Sequence, residues 1–271
     1  MELNKPVVLG VSTAKGGSSK SFTAIVLAHL LSTSAEKGLK REAKKVLFVD
    51  MDFQGDATEN LTKMDQDEFE GRSVFEAIQG KDVNECIHKV NGNLSILPAT
   101  SDLALLDKYI YEKNIRHSSL LLKEAIHKVE GDYDYIIIDT SPSLSKGVIL
   151  SLAATEKLII PMQTQKFGYR AVSKFSNTVL EVNQSINSEL ELLGILPVMV
   201  ETQKGRMDME VLEQAKEDYG DYMFSTIIRR RSTLNRLINH EGFSDKYAKQ
   251  RESLQDYYSL YQEVIERVQR A

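Results

Sequence analysis

The chain has 271 residues and a formal net charge of −5, with 42% hydrophobic and 27% charged residues, which are ordinary values for a soluble globular protein. No apolar run reaches the roughly 18–20 residues that a membrane-spanning helix needs. The single cysteine, Cys86, excludes an internal disulfide framework and any cluster that needs two thiolates from one chain. We therefore expect a cytoplasmic protein, in which the acidic balance still permits a local basic patch.

Short β-branched runs alternate along the chain with longer amphipathic stretches, as in stacked βαβ units. The isoleucines at 136–138 form a continuously apolar run, which is typical of a strand buried on both faces of a parallel sheet. The predicted strands are residues 7–12, 45–50, 94–97, 135–139, 158–161, 192–200 and 223–228. The predicted helices are residues 19–31, 101–113, 118–130, 145–154, 168–183, 207–219 and 253–269. We therefore predict one α/β domain over residues 1–271, with a doubly wound, mostly parallel sheet, helices on both faces and no N-terminal helix-turn-helix domain.

A glycine turn follows the first predicted strand and leads into an apolar helical run. The turn reads Thr13-Ala14-Lys15-Gly16-Gly17-Ser18-Ser19-Lys20-Ser21. Backbone N–H groups and the positive end of the helix dipole converge in such a turn and favour a polyphosphate. Lys20 can reach the β- and γ-phosphates, and the Ser21 hydroxyl can hold Mg²⁺. Because Ala14 and Ser19 replace the two glycines of the general G-x-x-x-x-G-K-[ST] pattern, that pattern alone leaves nucleotide binding and a purely structural turn both open.

The string Lys15-Gly16-Gly17-x-x-Lys20-Ser21 resembles the deviant Walker A signature of the ParA/MinD family of ATPases. This resemblance implies a P-loop fold with ATP and Mg²⁺ as cofactors, and it implies that Lys15 reaches across a two-fold axis to a partner's ATP. Ser19 stands where the family usually has glycine, but a position that opens a helix need not have a positive φ. The residues implied to contact nucleotide are Lys15, Gly16, Gly17, Ser18, Ser19, Lys20, Ser21, Phe22, Met199 and Arg230.

Carboxylates end two further predicted strands, at Asp50 and at Asp139. Ligands of parallel α/β sheets bind beyond the carboxyl ends of the strands, so these groups should lie beside the phosphate loop. The segment after the second strand resembles the family's D-x-D-P-Q-G-N-A-T, with Phe53 in place of proline. The resemblance implies that Asp52 positions the attacking water and that Asp50, Asp139 and Ser21 form the magnesium site. The implied catalytic residues are Lys15, Lys20 and Asp52.

The resemblance continues to about residue 268. Residues 158–163 are similar to a family strand that ends in Pro-x-Gln, here at Gln163. Residues 226–230 are similar to a segment near the adenine base that usually reads Ile-Pro-Arg, with Arg229 in place of the proline. The base pocket therefore departs most from the family pattern.

Basic residues are concentrated between positions 229 and 251, with seven basic residues against two acidic ones. Arginine matches phosphate geometry, and phosphate contacts give salt-dependent binding without sequence preference. An ordinary solvated face is the alternative when the residues are considered alone. The resemblance implies nonspecific DNA binding by the ATP-bound dimer, and the implied contacts are Lys204, Arg206, Arg229, Arg230, Arg231 and Arg236.

Apolar residues near the C-terminus recur at helical spacing. They are Leu254, Tyr258, Tyr261, Ile265 and Val268. The remaining face is net acidic, whereas a MinD-type membrane anchor needs a basic face. We therefore predict that this helix packs on the domain and that the protein has no membrane partner.

These features together favour an ATP-dependent DNA partition ATPase that is cytoplasmic and nucleoid-associated. The expected partners are a second copy of the chain on ATP binding, nonspecific DNA, and a centromere-binding, ParB-like protein that stimulates hydrolysis. The alternatives are a nucleotide-gated DNA-binding scaffold with little hydrolysis and a MinD-like positioning ATPase. A small-molecule ligase with this fold would leave Lys15 and the arginine cluster unexplained, and an electron-transfer relative with a bridging iron–sulfur cluster needs two cysteines per subunit.

Overall fold

A computed structural model describes residues 5–34, 42–142, 145–201, 206–231 and 254–270. The strands are β1 (Val7–Val11), β2 (Val46–Met51), β3 (His88–Lys89), β4 (Leu94–Leu97), β5 (Tyr135–Thr140), β6 (Lys157–Gln163), β7 (Glu191–Val200) and β8 (Ile228–Arg229). They form one sheet in the order β3-β4-β2-β5-β1-β6-β7-β8. Among these described strands, every neighbouring pair is parallel except β3 with β4. The predicted fold class is confirmed.

Helices cover both faces of the sheet. They are α1 (Lys20–Ser32), α2 (Asp56–Thr62), α3 (Val74–Ile78), α4 (Val83–Cys86), α5 (Leu106–Glu112), α6 (Leu121–Ile126), α7 (Lys146–Ala154), α8 (Lys166–Ser185), α9 (Arg206–Tyr219) and α10 (Gln255–Arg270). On one face α1 and α10 bury apolar residues against Leu9, Phe48 and Ile137. On the other, α3 to α7 pack over Val8 and Leu47, and α7, α8 and α9 continue that layer over β6 and β7.

The register of the central strands brings their carboxyl ends to one level. Val11 pairs with Asp139, and Asp50 of β2 also pairs with Asp139. The loop after β1 therefore begins beside both strand-ending aspartates. Because the three strands are neighbours and parallel, this edge of the sheet collects the candidate site.

The C-terminal helix packs on the domain, as its apolar spacing predicts. In α10, Tyr257, Leu260 and Val264 are buried in the same core as α1. The rings of Phe22 and Tyr257 meet edge to face with centroids 5.2 Å apart. None of the helices in the described part of the chain is long and apolar enough to cross a membrane.

The bounds of helices and strands differ from the predicted ones mainly where 3₁₀ turns or very short elements interrupt the hydrophobic periodicity. The predicted strand 223–228 is wrong, since Met223 only bridges Ile195 and the paired strand is Ile228–Arg229. The predicted helices 101–113 and 118–130 each begin as a 3₁₀ turn, so their α-helical parts start at Leu106 and Leu121. The sequence periodicity also missed β3, α2, α3 and α4, whose seven or fewer residues are too short to show a clear period.

Candidate nucleotide-binding site

The loop between β1 and α1 is a tight turn that leads directly into the first turn of α1. Gly17 has φ 69 and Ser19 has φ 57, so two residues are left-handed within three positions. The buried Ser18 hydroxyl donates to the Lys15 carbonyl over 2.9 Å and closes the turn. The helix then begins at Lys20, where the free N–H groups of its first turn make an anion site.

The backbone at Ser19 corrects one expectation from the sequence. A helix-opening position was expected to tolerate a side chain at negative φ, but Ser19 has φ 57 and ψ 26 and makes no capping bond with its side chain. In the left-handed region a Cβ lies too close to the following carbonyl oxygen, which costs about 1–2 kcal/mol. The glycine that the family usually has here is therefore the residue that the backbone favours.

Glycine at position 19 is expected to stabilise the chain by about 1 kcal/mol, because relief of the left-handed strain exceeds the extra freedom that glycine has when unfolded. Urea unfolding of Ser19→Gly would measure the change. The matched control is Ser145→Gly, since Ser145 also caps a helix without a side-chain bond but has φ −99. Equal effects of the two substitutions would contradict the explanation by strain.

Like Asp50, Asp139 places a buried carboxylate at this edge. It is fully buried, and neither carboxylate oxygen has a hydrogen bond of normal geometry from the described residues. Burial raises the pKa of Asp139 well above its usual range, and the neighbouring Asp50 raises it further, whereas the Ser21 hydroxyl and Lys20 lower it. An unsatisfied buried carboxylate is costly, so its persistence here indicates a cationic ligand.

Lys20 lies in the same pocket and is almost fully buried. Burial lowers the pKa of its ammonium, while the charges of Asp139 and Asp52 raise it. Because Lys20 faces two carboxylates, those of Asp139 and Asp52, this cluster of side chains has too little positive charge to balance its negative charge. A divalent cation would supply the missing positive charge, and its remaining coordination positions would be open to phosphate oxygens.

Asp50 differs from Asp139 because protein donors occupy both of its oxygens. Oδ1 accepts the Asp52 N–H over 3.1 Å, and Oδ2 accepts the Thr58 N–H and hydroxyl over 2.9 and 2.7 Å. Burial raises the pKa of Asp50 to about 7, against the lowering effect of these bonds. Thr58 in turn accepts the Ala99 N–H over 2.9 Å. Asp50 thus fixes the loop that carries Asp52, and a direct role for Asp50 in holding metal stays a prediction.

Asp52 sits at the edge of the pocket and is partly exposed. Its Oδ1 accepts the Gln54 N–H over 3.1 Å, which orients the carboxylate. Burial raises the pKa of Asp52, the charge of Lys20 lowers it, and that of Asp56 raises it. Asp52 and Lys20 are therefore within range of each other's charge, while their joint catalytic role stays a prediction.

The donor set fits Mg²⁺ bound together with phosphates. In the described part of the chain, no three His, Cys, Asp or Glu side chains converge to hold an ion by themselves. Mg²⁺ normally takes one or two carboxylates and completes its shell with phosphate oxygens and water. The free oxygens of Asp139, with the nearby Ser21 hydroxyl, match that requirement.

Lys15 is held on its own chain by Gln163, the last residue of β6. Its ammonium donates to Gln163 Oε1 over 2.5 Å, and Gln163 Nε2 donates to the Gly17 carbonyl over 2.6 Å. From the sequence, Gln163 is only the last residue of a strand that resembles a family strand, and no role is predicted for it. These bonds join positions 148 and 146 residues apart, so no local pattern could have shown them.

Three further residues predicted to contact nucleotide, which are Phe22, Met199 and Arg230, are spread more widely. Phe22 packs in the core against Tyr257, so only its backbone can face a nucleotide. Met199 is left-handed with φ 57 at the end of β7. Arg230 follows β8 and donates to Glu201 over 2.7 Å. Their contact with a nucleotide stays a prediction.

The predicted DNA-binding residues are partly engaged in ion pairs. Arg229 donates to the buried Asp256 of α10 over 2.6 Å, and Arg231 lies 3.7 Å from the same carboxylate. The ion pair of Asp256 with Arg229 could not be predicted from the sequence, because one acidic residue on a helix of mixed polarity does not indicate which basic residue it will contact. Lys204 and Arg236 lie outside the described residues, and Arg206 opens α9.

Comparisons with known proteins agree with this geometry. A family model for an AAA domain matches residues 7–192. The chromosome-partitioning ATPase Soj of Thermus thermophilus is 32% identical, over 97% of this chain and 97% of the relative. A Borrelia burgdorferi B31 protein described as a plasmid partition protein and solved with AMPPNP has a TM-score of 0.78 and 26% identity, over 98% of this chain and 99% of its own. Cobyrinic acid a,c-diamide synthase of Mycobacterium smegmatis, solved with ADP and magnesium, has a TM-score of 0.73 and 29% identity, over 86% of this chain and 91% of its own. The chain belongs to this AAA-domain family and, within it, to the ParA/Soj group of P-loop ATPases.

Proposed function

We propose that this chain is a DNA partition ATPase that dimerises on binding ATP and Mg²⁺ and binds DNA without sequence preference as that dimer. A centromere-binding, ParB-like partner stimulates hydrolysis, and the protein acts on nucleoid DNA in the cytoplasm. The observation that carries the proposal is the phosphate loop, where Lys15 and Lys20 flank one glycine turn beside the buried carboxylate of Asp139. We further propose that residues 1–271 form one ATPase domain.

Phosphoryl transfer needs positioning and charge neutralisation more than covalent chemistry. The N–H groups at the start of α1 and the Lys20 ammonium hold the β- and γ-phosphate oxygens. Asp139 and Ser21 hold Mg²⁺, which neutralises phosphate charge when bound. Asp50 fixes the loop after β2, so that Asp52 orients the attacking water.

A second copy of the chain completes the site in this proposal. Lys15 lies at the carboxyl edge of the sheet, where it can supply positive charge to the nucleotide of a partner. Two exposed apolar side chains, Phe53 after β2 and Phe167 at the start of α8, stand at the same edge. Exposed aromatic groups beside a charged site suit an interface that forms only when nucleotide is present.

The test of this function is the ATPase rate over a range of protein concentrations, with and without DNA, alongside light scattering. A partition ATPase should show ATP-dependent dimers and a rate per chain that rises with protein concentration and with DNA. A scaffold would bind DNA in the presence of ATP without measurable turnover, and the left-handed Ser19 is the observation that keeps this alternative open. A ligase would show a rate independent of DNA, and that result would overturn the proposal.

Replacement of Arg230 with Glu is expected to weaken DNA binding on every sequence tested. Arg230 is suited to this test because its side chain is 64% exposed, whereas Arg229 is tied to buried Asp256. Each lost phosphate contact should reduce the slope of log K against log salt by about 0.9. Fluorescence anisotropy with ATP at several salt concentrations would measure the slope.

The matched control for this substitution is Arg270→Glu. Arg270 also pairs with a glutamate, Glu266, but it lines a groove with Lys157 and Glu191 at the opposite edge of the sheet. The two variants have the same change in net charge, so a general electrostatic effect would appear in both. An unchanged slope for Arg230→Glu would mean that Arg230 contacts no DNA phosphate and belongs to an ordinary solvated face.

A further inference from the structure

Gln163 makes two hydrogen bonds to the phosphate loop from the carboxyl end of β6. Its Oε1 accepts from the Lys15 ammonium over 2.5 Å, and its Nε2 donates to the Gly17 carbonyl over 2.6 Å. A single side chain therefore contacts both the signature lysine and the left-handed glycine of the turn. No other residue outside the loop is described with bonds to both.

The chemistry of the partners fixes the orientation of this amide. Lys15 offers only donors and the Gly17 carbonyl offers only an acceptor. A flipped amide would place its NH₂ against the ammonium and its oxygen against the carbonyl, and both contacts would be repulsive. The amide therefore has one orientation in which both bonds form.

The backbone of Gln163 is also held in place. It is paired in register with Val198 of β7. Gly168, in the first turn of α8, approaches so closely that a Cβ there would collide with the Gln163 carbonyl oxygen. The Met199 sulfur lies 3.4 Å from Gln163 Nε2. A residue supported from three sides can define the position of a flexible lysine.

We propose that Gln163 is a positioning residue that holds Lys15 on its own chain until ATP is bound, and that this bond breaks when Lys15 reaches the nucleotide of a second copy. The proposal rests on the function proposed above, in which Lys15 acts across the dimer. One ammonium on one stem cannot stay at Gln163 and also neutralise a phosphate in the other chain. The bond therefore stabilises the single chain relative to the dimer.

Two substitutions change this bond in opposite directions. Gln163→Met keeps a similar side-chain length but removes the amide's hydrogen bonds to Lys15, to the Gly17 carbonyl and to the Met199 sulfur, so Lys15 is released. Gln163→Glu replaces the neutral acceptor with a carboxylate, which makes a stronger, charge-assisted bond to the ammonium. Both variants lose the bond to the Gly17 carbonyl, and Gln163→Glu also sets an oxygen against that carbonyl.

The first measurement is the acetylation rate of Lys15 by acetic anhydride in the nucleotide-free chain, followed by mass spectrometry. Relative to the parent, we expect roughly five-fold faster labelling in Gln163→Met and slower labelling in Gln163→Glu, given the strength of hydrogen bonds to charged groups. The second measurement is dimerisation at saturating ATP by light scattering. The dimer should form at roughly ten-fold lower protein concentration in Gln163→Met and at higher concentration in Gln163→Glu.

Gln165→Met and Gln165→Glu are the matched controls, because Gln165 is exposed, lies two residues away and makes no capping bond with its side chain. Neither control should change Lys15 labelling. Equal labelling of Lys15 in the parent and both Gln163 variants would overturn the proposal, as would a shift of dimerisation in the same direction in both. If the parent fails to dimerise with ATP, the proposed function fails, while the labelling rates still decide whether Gln163 holds Lys15.

Discussion

Replacement of Asp139 with asparagine is expected to stabilise the nucleotide-free chain at pH 8 and to weaken its Mg²⁺-dependent binding of ATP. In the parent both carboxylate oxygens are buried without a normal hydrogen bond from the described residues. Removal of a buried group without hydrogen-bond partners should raise the free energy of unfolding by about 1–3 kcal/mol. The same substitution removes the anionic oxygens that would hold Mg²⁺, so metal affinity should fall by at least about ten-fold.

The gain in stability should depend on pH. Burial and the charge of Asp50 raise the pKa of Asp139 in the folded chain, whereas in the unfolded chain it titrates near 3.9. Between these values the folded chain binds the extra proton, so stability falls as pH rises from about 4 through the raised pKa. Asparagine cannot lose that proton. The variant and the parent should therefore differ little at pH 5 and most at pH 8.

Thermal unfolding from pH 5 to 8, with and without Mg²⁺ and ATP, would measure both effects. Asp256→Asn is the matched control, since Asp256 is also buried but accepts bonds from the Arg229 backbone and side chain. It should lower the melting temperature, because it weakens a satisfied charged pair. A loss of stability in Asp139→Asn at pH 8 would show that Asp139 is not strained in the nucleotide-free state.

The sequence predicted the parts of the site that lie close together in the chain. Lys15, Lys20 and Ser21 stand in one turn, and Asp50 and Asp139 end strands that any parallel sheet brings to one edge. Such features follow from local chemistry and strand order. The structure confirms this placement because β1 and β2 both pair with β5 in matching register.

The features of the fold and the site that the sequence did not predict depend on contacts between residues far apart in the chain, or on backbone angles that the residue types do not determine. Ser19 is a common helix cap, so its sequence indicates a negative φ, and only the closed turn imposes φ 57. The segment 223–228 reads as a strand, but Met223 is buried in the core with α9 and Phe224 in the core with α10, and only Ile228 of the segment belongs to a paired strand. The partners of Lys15 and Arg229, which are Gln163 and Asp256, become visible only when the chain is folded.

Replacement of Asp52 with alanine is expected to reduce ATP hydrolysis by about 100-fold or more while ATP binding is retained. Its carboxylate is oriented by the Gln54 N–H and lies near Lys20, but the bonds that build the phosphate loop do not include it. Loss of the carboxylate removes the group that orients water and leaves the phosphate contacts of Lys20 and α1 in place. The ATP-bound dimer should then persist, and DNA binding should be prolonged.

Phosphate release under steady-state conditions, together with dissociation from DNA after removal of free ATP, would test this expectation. Asp56→Ala is the matched control, because Asp56 is an exposed acid at the start of α2, four residues after Asp52, and its charge raises the pKa of Asp52. Removal of Asp56 takes away the same charge without the water-orienting group, so hydrolysis should change by no more than about three-fold. Unchanged hydrolysis in Asp52→Ala would mean that another group orients the water.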